Sequence, residues 1–128
     1  MLSVGIKGEG RLTVAKDALA SSVGSGSLPV FATPEMVLLI ERTAFESLEP
    51  HLDAGKSTVG GRLDICHTAP SAEGSEILCV TEVTEIDRSR VVFRVDVSDG
   101  AGPIGSGTHE RFVVDAEIFM RKASDRRR

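Results

Sequence analysis

Tryptophan and tyrosine are absent from the sequence, phenylalanine occurs five times and cysteine twice, and the longest unbroken apolar run is the five residues Met36–Ile40. Each scarcity removes a class of function. Without Trp or Tyr, and with a formal net charge of −4 and an isoelectric point near 5.4, the chain has neither an aromatic platform for stacked bases nor a broad basic surface for phosphates. Nucleic acid is therefore not an expected partner. An apolar run of five residues is far below the roughly 20 that cross a bilayer, so no membrane association is expected. Cys66 and Cys79 lack the spacing of a metal knuckle and fall in strand-like segments, as free thiols of a reducing compartment do. The first residues carry no basic stretch followed by an apolar one, which leads to the expectation of a cytoplasmic protein.

What is present is the composition of an ordinary globular domain, 128 residues with 41% hydrophobic and 27% charged side chains. That length suits one domain over residues 1–128 with a real core. The one basic cluster, Arg121-Lys122 and Arg126–Arg128, reads as a solvated, frayed end.

The chain is organised around Leu28–Glu41. Thr33 is placed to cap a helix, Pro34 suits the first helical position, and Glu35 complements the positive end of the dipole. Met36–Ile40 is apolar on every side, which predicts a helix enclosed on most of its circumference. Glu41 comes directly after it. Either Glu41 turns to a wet face with Arg42 and Glu46, or it is a catalytic carboxylate in an apolar setting; position and composition leave both open. The helix should stop at Glu49, because Pro50 pushes its predecessor out of helical geometry.

Before this helix, Val4, Ile6, Leu12 and Val14 alternate with polar residues as in a half-buried strand, and Asp17–Val23 suggests a short helical turn capped by Asp17. Gly24–Ser27 then breaks it. After the helix the period changes to two. Thr58–Thr68 puts Val59, Gly61, Leu63, Ile65 and His67 on one face, and Glu76–Ile86, Val91–Val97 and Ile104–Val114 follow as strands, with a terminal helical turn over Ala116–Lys122. This order predicts an α+β fold, an antiparallel sheet wrapped around one long central helix. Such a wrap turns His67 toward the helix, so that His67 and Glu41 can meet in a crevice, although a histidine on an apolar face also serves as a hydrogen-bonded core residue. His51, just beyond the helix, is expected on the surface. His109 and Glu110 fall on opposite faces of their strand and do not make a metal site with His67.

Val30-Phe-Ala-Thr33, Glu41, Glu49-Pro-His-Leu52, Gly60, Cys66-His-Thr-Ala69, Asp99-Gly100 and Ile104-Gly-Ser-Gly-Thr-His-Glu-Arg111 resemble the hot-dog-fold acyl-coenzyme A thioesterases, in particular the group containing fluoroacetyl-coenzyme A thioesterase. The family's functional threonine, glutamate and histidine fall on Thr33, Glu41 and His67. The resemblance implies a hot-dog fold, hydrolysis of a small acyl-CoA thioester with coenzyme A entering only as part of the substrate and no separate cofactor, and a dimer with the thioester near the subunit interface. One departure is visible. The fluoroacetyl enzyme has a longer, phenylalanine-bearing segment before the threonine that gates its pocket, whereas this chain has Ser21–Pro29, rich in Gly and Ser. A preference for the fluorinated acyl group is therefore not expected.

Thioester hydrolysis needs a nucleophile, support for an oxyanion and a proton for the leaving thiolate. Glu41 can activate water or attack, His67 can carry the proton, and Thr33 can orient or attack. Phe31 is expected to line the acyl site, and the helix start or Gly60-Gly61 to approach the ligand closely. Eight residues of helix rise about 12 Å, so Thr33 and Glu41 of one chain should not bond directly, and one site containing both needs two subunits. The regular strands Val91–Val97 and Ile104–Val114 are expected to offer edges that a two-fold partner covers, giving a homodimer or a tetramer. A non-catalytic acyl-CoA binding module and a hot-dog dehydratase remain alternatives on the same fold.

Overall fold

The structure, a computed structural model, describes residues 1–127; Arg128, the last residue of the basic tail, lies outside the described residues. Five strands, β1 (Lys7–Thr13), β2 (Lys56–His67), β3 (Glu76–Asp87), β4 (Arg90–Asp99) and β5 (Gly102–Asp115), form one sheet in the order β1-β3-β4-β5-β2. Every neighbouring pair is antiparallel. A short helix α1 (Ala20–Val23) and the long α2 (Thr33–Leu48) lie between β1 and β2, and α3 (Ala116–Asp125) ends the chain.

The core forms where two periodicities meet. Along β4, Val91, Phe93, Val95 and Val97 alternate inward and are buried, and along α2 Met36, Leu39, Ile40, Ala44 and Leu48 recur at helical spacing and are buried against them. Burying a side chain of this size contributes about 1.5–3 kcal/mol, so this shared face holds helix to sheet. The approach of β1 to α2 depends on glycine, because a Cβ at Gly10 would overlap Thr43 Oγ1. Cys79 lies under this contact, fully buried, and its thiol is pushed up to about 11 chiefly by that burial. Among the described residues no helix is long and apolar enough to cross a membrane.

Several expectations change in detail. The residue in the capping position of α2 is Ala32, in extended conformation and without a side-chain bond, so Thr33 is the first helical residue and its hydroxyl is released from capping. Asp17 caps nothing; the short elements there begin after Ala15 and Leu19 without side-chain caps. Leu38 is 47% exposed, so α2 is not enclosed all round within one chain. The register of β2 slips between Gly60 and Arg62, a bulge that turns Thr58 rather than Val59 inward before it while Leu63, Ile65 and His67 face inward after it. The strands expected to supply free edges are interior; the edges are β1 and β2. His51 is half-buried rather than fully exposed.

Candidate active site

Thr33 and His67 meet at the start of α2. Thr33 Oγ1 lies 2.8 Å from His67 Nδ1, a contact open to it because the helix does not use the hydroxyl as a cap. His67 is the last residue of β2, facing inward beyond the bulge, and its ring packs edge-on to the buried Phe31 with centroids 6.2 Å apart. Burial lowers the His67 pKa from its ordinary 6.5, and the nearby Ala69 backbone partly opposes that shift. The other ring nitrogen, Nε2, is buried without a hydrogen-bond partner among the described residues.

A cavity of about 330 Å³ opens over this pair, lined also by Ala20, Ser25, Val30, Phe31, Thr68, Ala69 and Pro70. The wall is tied down behind. Phe31 N donates to Ser71 O at 2.8 Å, and the buried Ser71 hydroxyl donates to Asp99 Oδ2 at 2.7 Å. Asp99 also accepts from Ala101 N, and the Ser71 hydroxyl with that amide holds its carboxyl below the usual carboxylate range.

Glu41 is elsewhere in the chain. Eight residues along α2 it has risen about 12 Å from Thr33, and its Oε2 accepts from Arg111 Nη1 at 3.3 Å. Arg111 is 5% exposed. Its Nε donates to Thr58 Oγ1 and Nη2 to Thr58 O, and the guanidinium lies over the Phe45 ring. His109 completes the cluster, with Nδ1 at 2.8 Å from Arg62 O and Nε2 at 3.2 Å from Arg111 Nη1. A carbonyl only accepts, so Nδ1 carries the proton and Nε2 accepts from Arg111. Burial, with the charge of Arg111 beside it, accordingly lowers the His109 pKa.

Of the residues expected at the site, one chain thus brings together Thr33, His67 and Phe31 and holds Glu41 apart. Gly60 adjoins Glu41, since a Cβ there would overlap its Oε2, and Gly61 lies against the Phe112 ring; neither lines the cavity. Sequence reasoning missed Arg111, Thr58 and the role of His109. A signal for two of them exists in the alternation of β5, which puts His109 and Arg111 on the inward face together. Thr58 was hidden by the bulge.

A family model described as fluoroacetyl-CoA-specific thioesterase matches residues 14–117. The chain belongs to this family. As a member of the fluoroacetyl-CoA-specific thioesterase family it is an enzyme of the acyl-CoA thioesterase class. The fluoroacetyl-CoA thioesterase of Streptantibioticus cattleyicolor is 37% identical over 93 residues, which are 73% of this chain and 67% of that protein. A crystal structure of a mutant of the fluoroacetyl-CoA-specific thioesterase FlK superposes with a TM-score of 0.92 at 28% identity, over 99% of this chain and 98% of that one. A hot-dog-like protein from Thermanaerovibrio acidaminovorans superposes with a TM-score of 0.89 at 22% identity, covering 98% of this chain and 93% of the other, a likeness of fold.

Proposed function

We propose that the protein hydrolyses a small acyl-CoA thioester to the free acid and coenzyme A, with Thr33 as nucleophile and His67 as proton carrier. The observation that carries this reading is the 2.8 Å contact of Thr33 Oγ1 with His67 Nδ1 on the floor of an open cavity, the nucleophile–base geometry of acyl transfer. His67 takes the hydroxyl proton as Oγ1 bonds to the thioester carbon, and returns it to the coenzyme A sulfur as the carbon–sulfur bond breaks. A water then attacks the acyl-threonine ester, losing a proton to His67, and the Thr33 oxygen leaves with that proton. The positive end of α2 supports the oxyanion in both halves.

Glu41 enters through a second copy. The free edge of β2 is twelve residues long, whereas the edge of β1 is shorter and carries exposed Lys7, Glu9 and Arg11, as edges protected against pairing do. Antiparallel pairing of β2 with its copy about a two-fold axis between Leu63 and Asp64 sets the second copy's Gly60, and the Glu41 beside it, opposite His67. There its carboxylate meets the unpartnered Nε2–H and stabilises the imidazolium. The same pairing covers Gly60 and Gly61.

The acyl group is small and unfluorinated. Ala20 and Ser25 of the cavity lining come from a glycine- and serine-rich approach without an aromatic side chain, which leaves the mouth open. Release of free thiol from a panel of acyl-CoA esters tests the function. Rapid release from short acyl groups supports hydrolysis; tight binding without release would make the protein an acyl-CoA binding module, and water loss from 3-hydroxyacyl-CoA without thiol release would make it a dehydratase.

A further inference from the structure

The terminal helix α3 is an ordered element with little of its own chain to rest on. Asp115 caps it, its carboxylate accepting from Ile118 N at 3.0 Å, yet none of its ten residues is buried, and Ile118, Phe119 and Met120 are 47, 38 and 61% exposed. A helix this short is marginal in water by itself. It also carries, with the residues just after it, the densest positive charge in a net acidic chain, Arg121 and Lys122 within the helix and Arg126 and Arg127 beyond its end; among these described residues only Arg121 lies near an acidic partner, Glu117 at 3.9 Å.

Its position explains both features. Asp115 pairs with Lys56 at the first end of β2, while His67 at the other end pairs with Gly105, so within one chain α3 and the Thr33–His67 cavity are separated by the length of β2, about 40 Å. An antiparallel two-fold pairing centred in β2 puts the Lys56 end of one copy beside the His67 end of the other. It therefore carries α3 to the mouth of the neighbouring cavity. Val23 and Leu28, 42% and 65% accessible, belong to the segment that supplies Ala20 and Ser25 to the cavity lining, so the rotation that joins the sheets also brings the exposed apolar side chains of that segment and of α3 toward one another.

The cavity lacks a cation of its own, since none of its lining residues is lysine or arginine. Coenzyme A carries its phosphates at the far end of the pantetheine arm, outside any cavity that holds the acyl group. We infer that α3 of one copy, through Arg121, Lys122, Arg126 and Arg127, holds the nucleotide phosphates of the acyl-CoA whose thioester lies in the other copy's cavity. This rests on the thioesterase and dimer readings above. Ten residues of helix reach about 15 Å, which sets the cations away from the reacting carbonyl and at the phosphates.

The test compares acetyl-CoA with acetyl-pantetheine, which has the same thioester and arm but no nucleotide. In R121Q/K122Q/R126Q/R127Q, exposed changes with little bearing on folding, the ratio of kcat/KM for acetyl-CoA to that for acetyl-pantetheine should fall roughly tenfold, the order given by losing one charge-assisted contact. In the unaltered enzyme the same ratio should fall as salt is raised. An unchanged ratio in a variant that light scattering shows to be dimeric overturns the inference and leaves the dimer standing, whereas a monomeric parent protein removes the dimer reading and this one with it. Mixed dimers decide the arrangement. A chain combining the four α3 changes with Thr33→Ala, paired with an unaltered chain, should show the lowered ratio; the four changes and Thr33→Ala on separate chains should show the normal one. The reverse pattern overturns binding across the interface.

Discussion

Thr33 Oγ1 and His67 Nδ1 are 2.8 Å apart although 34 positions separate them in the chain, and the contact exists because Ala32, not Thr33, occupies the capping position of α2. A capping hydroxyl is engaged with its own helix. A hydroxyl one position later is free to meet a base, and Thr33→Val should therefore lose most activity, about 100-fold or more in kcat for a lost nucleophile, while Thr33→Ser retains part of it. Mass spectrometry of Thr33→Ser quenched during turnover should show the acyl group on residue 33. Near-normal turnover by Thr33→Val would assign the attack to water.

Burial lowers the pKa of His67 from 6.5, so its neutral, proton-accepting form persists below the ordinary histidine range. The carboxylate of Glu41 from a second copy opposes that shift, so the acid limb of kcat/KM should lie lower in Glu41→Gln than in the unaltered enzyme, and His67→Ala should reduce kcat more than it raises KM. His109 is lowered as well. Both histidines stay neutral in the folded chain where the unfolded chain binds protons, so stability should be greatest above about pH 6.5 and decline as pH falls from there toward the folded values. Thermal melts across pH 5 to 8 measure this. A melting temperature that rises on acidification through this range would contradict it.

Glu41→Gln should keep the fold, because the amide oxygen still accepts from Arg111, but lose most of the activity for want of a carboxylate at the imidazolium. Gly60→Ala should do similar damage at a distance. A methyl there overlaps Glu41 Oε2, so the carboxylate must leave its place beside Arg111, with a fall in kcat and a smaller change in melting temperature. Full activity in folded Gly60→Ala would mean that the position of Glu41 is immaterial.

Acetyl-CoA and fluoroacetyl-CoA should be turned over with similar kcat/KM, because the approach that supplies Ala20 and Ser25 to the cavity holds no aromatic group to discriminate a fluorine from a hydrogen. Competition between the two esters in one reaction gives the ratio directly. A hundredfold preference for the fluorinated ester would place selectivity in groups other than this approach.

Mixing Thr33→Ala with Glu41→Gln under exchange conditions should restore part of the activity, since one site of each mixed dimer then carries neither lesion. Subunit exchange is verified with tagged chains. No recovery despite exchange would show that Thr33 and Glu41 of the same chain serve one site.

The sequence by itself determined the elements, because their causes are local. The period of 3.6 from Met36 to Leu48 and the period of two along Val91–Val97 each expose one apolar face, and burying those faces against each other leaves a sheet around a helix as the outcome. It also brought Thr33, Glu41 and His67 into view through the spacing shared with a known family. Which of them touch was a tertiary matter. The bulge at Gly60–Arg62 changes which β2 side chains face inward, and no local pattern marks it, because a glycine pair fits a regular strand as well as a bulge. The pairing of β2 with β5 then sets Thr58 beside Arg111, 53 positions later, and Arg111 holds Glu41, 70 positions earlier. Sheet order likewise decided that β1 and β2, rather than the most regular strands, are the edges. Register and order depend on how distant segments share a single core, and that choice is made only when the whole chain packs.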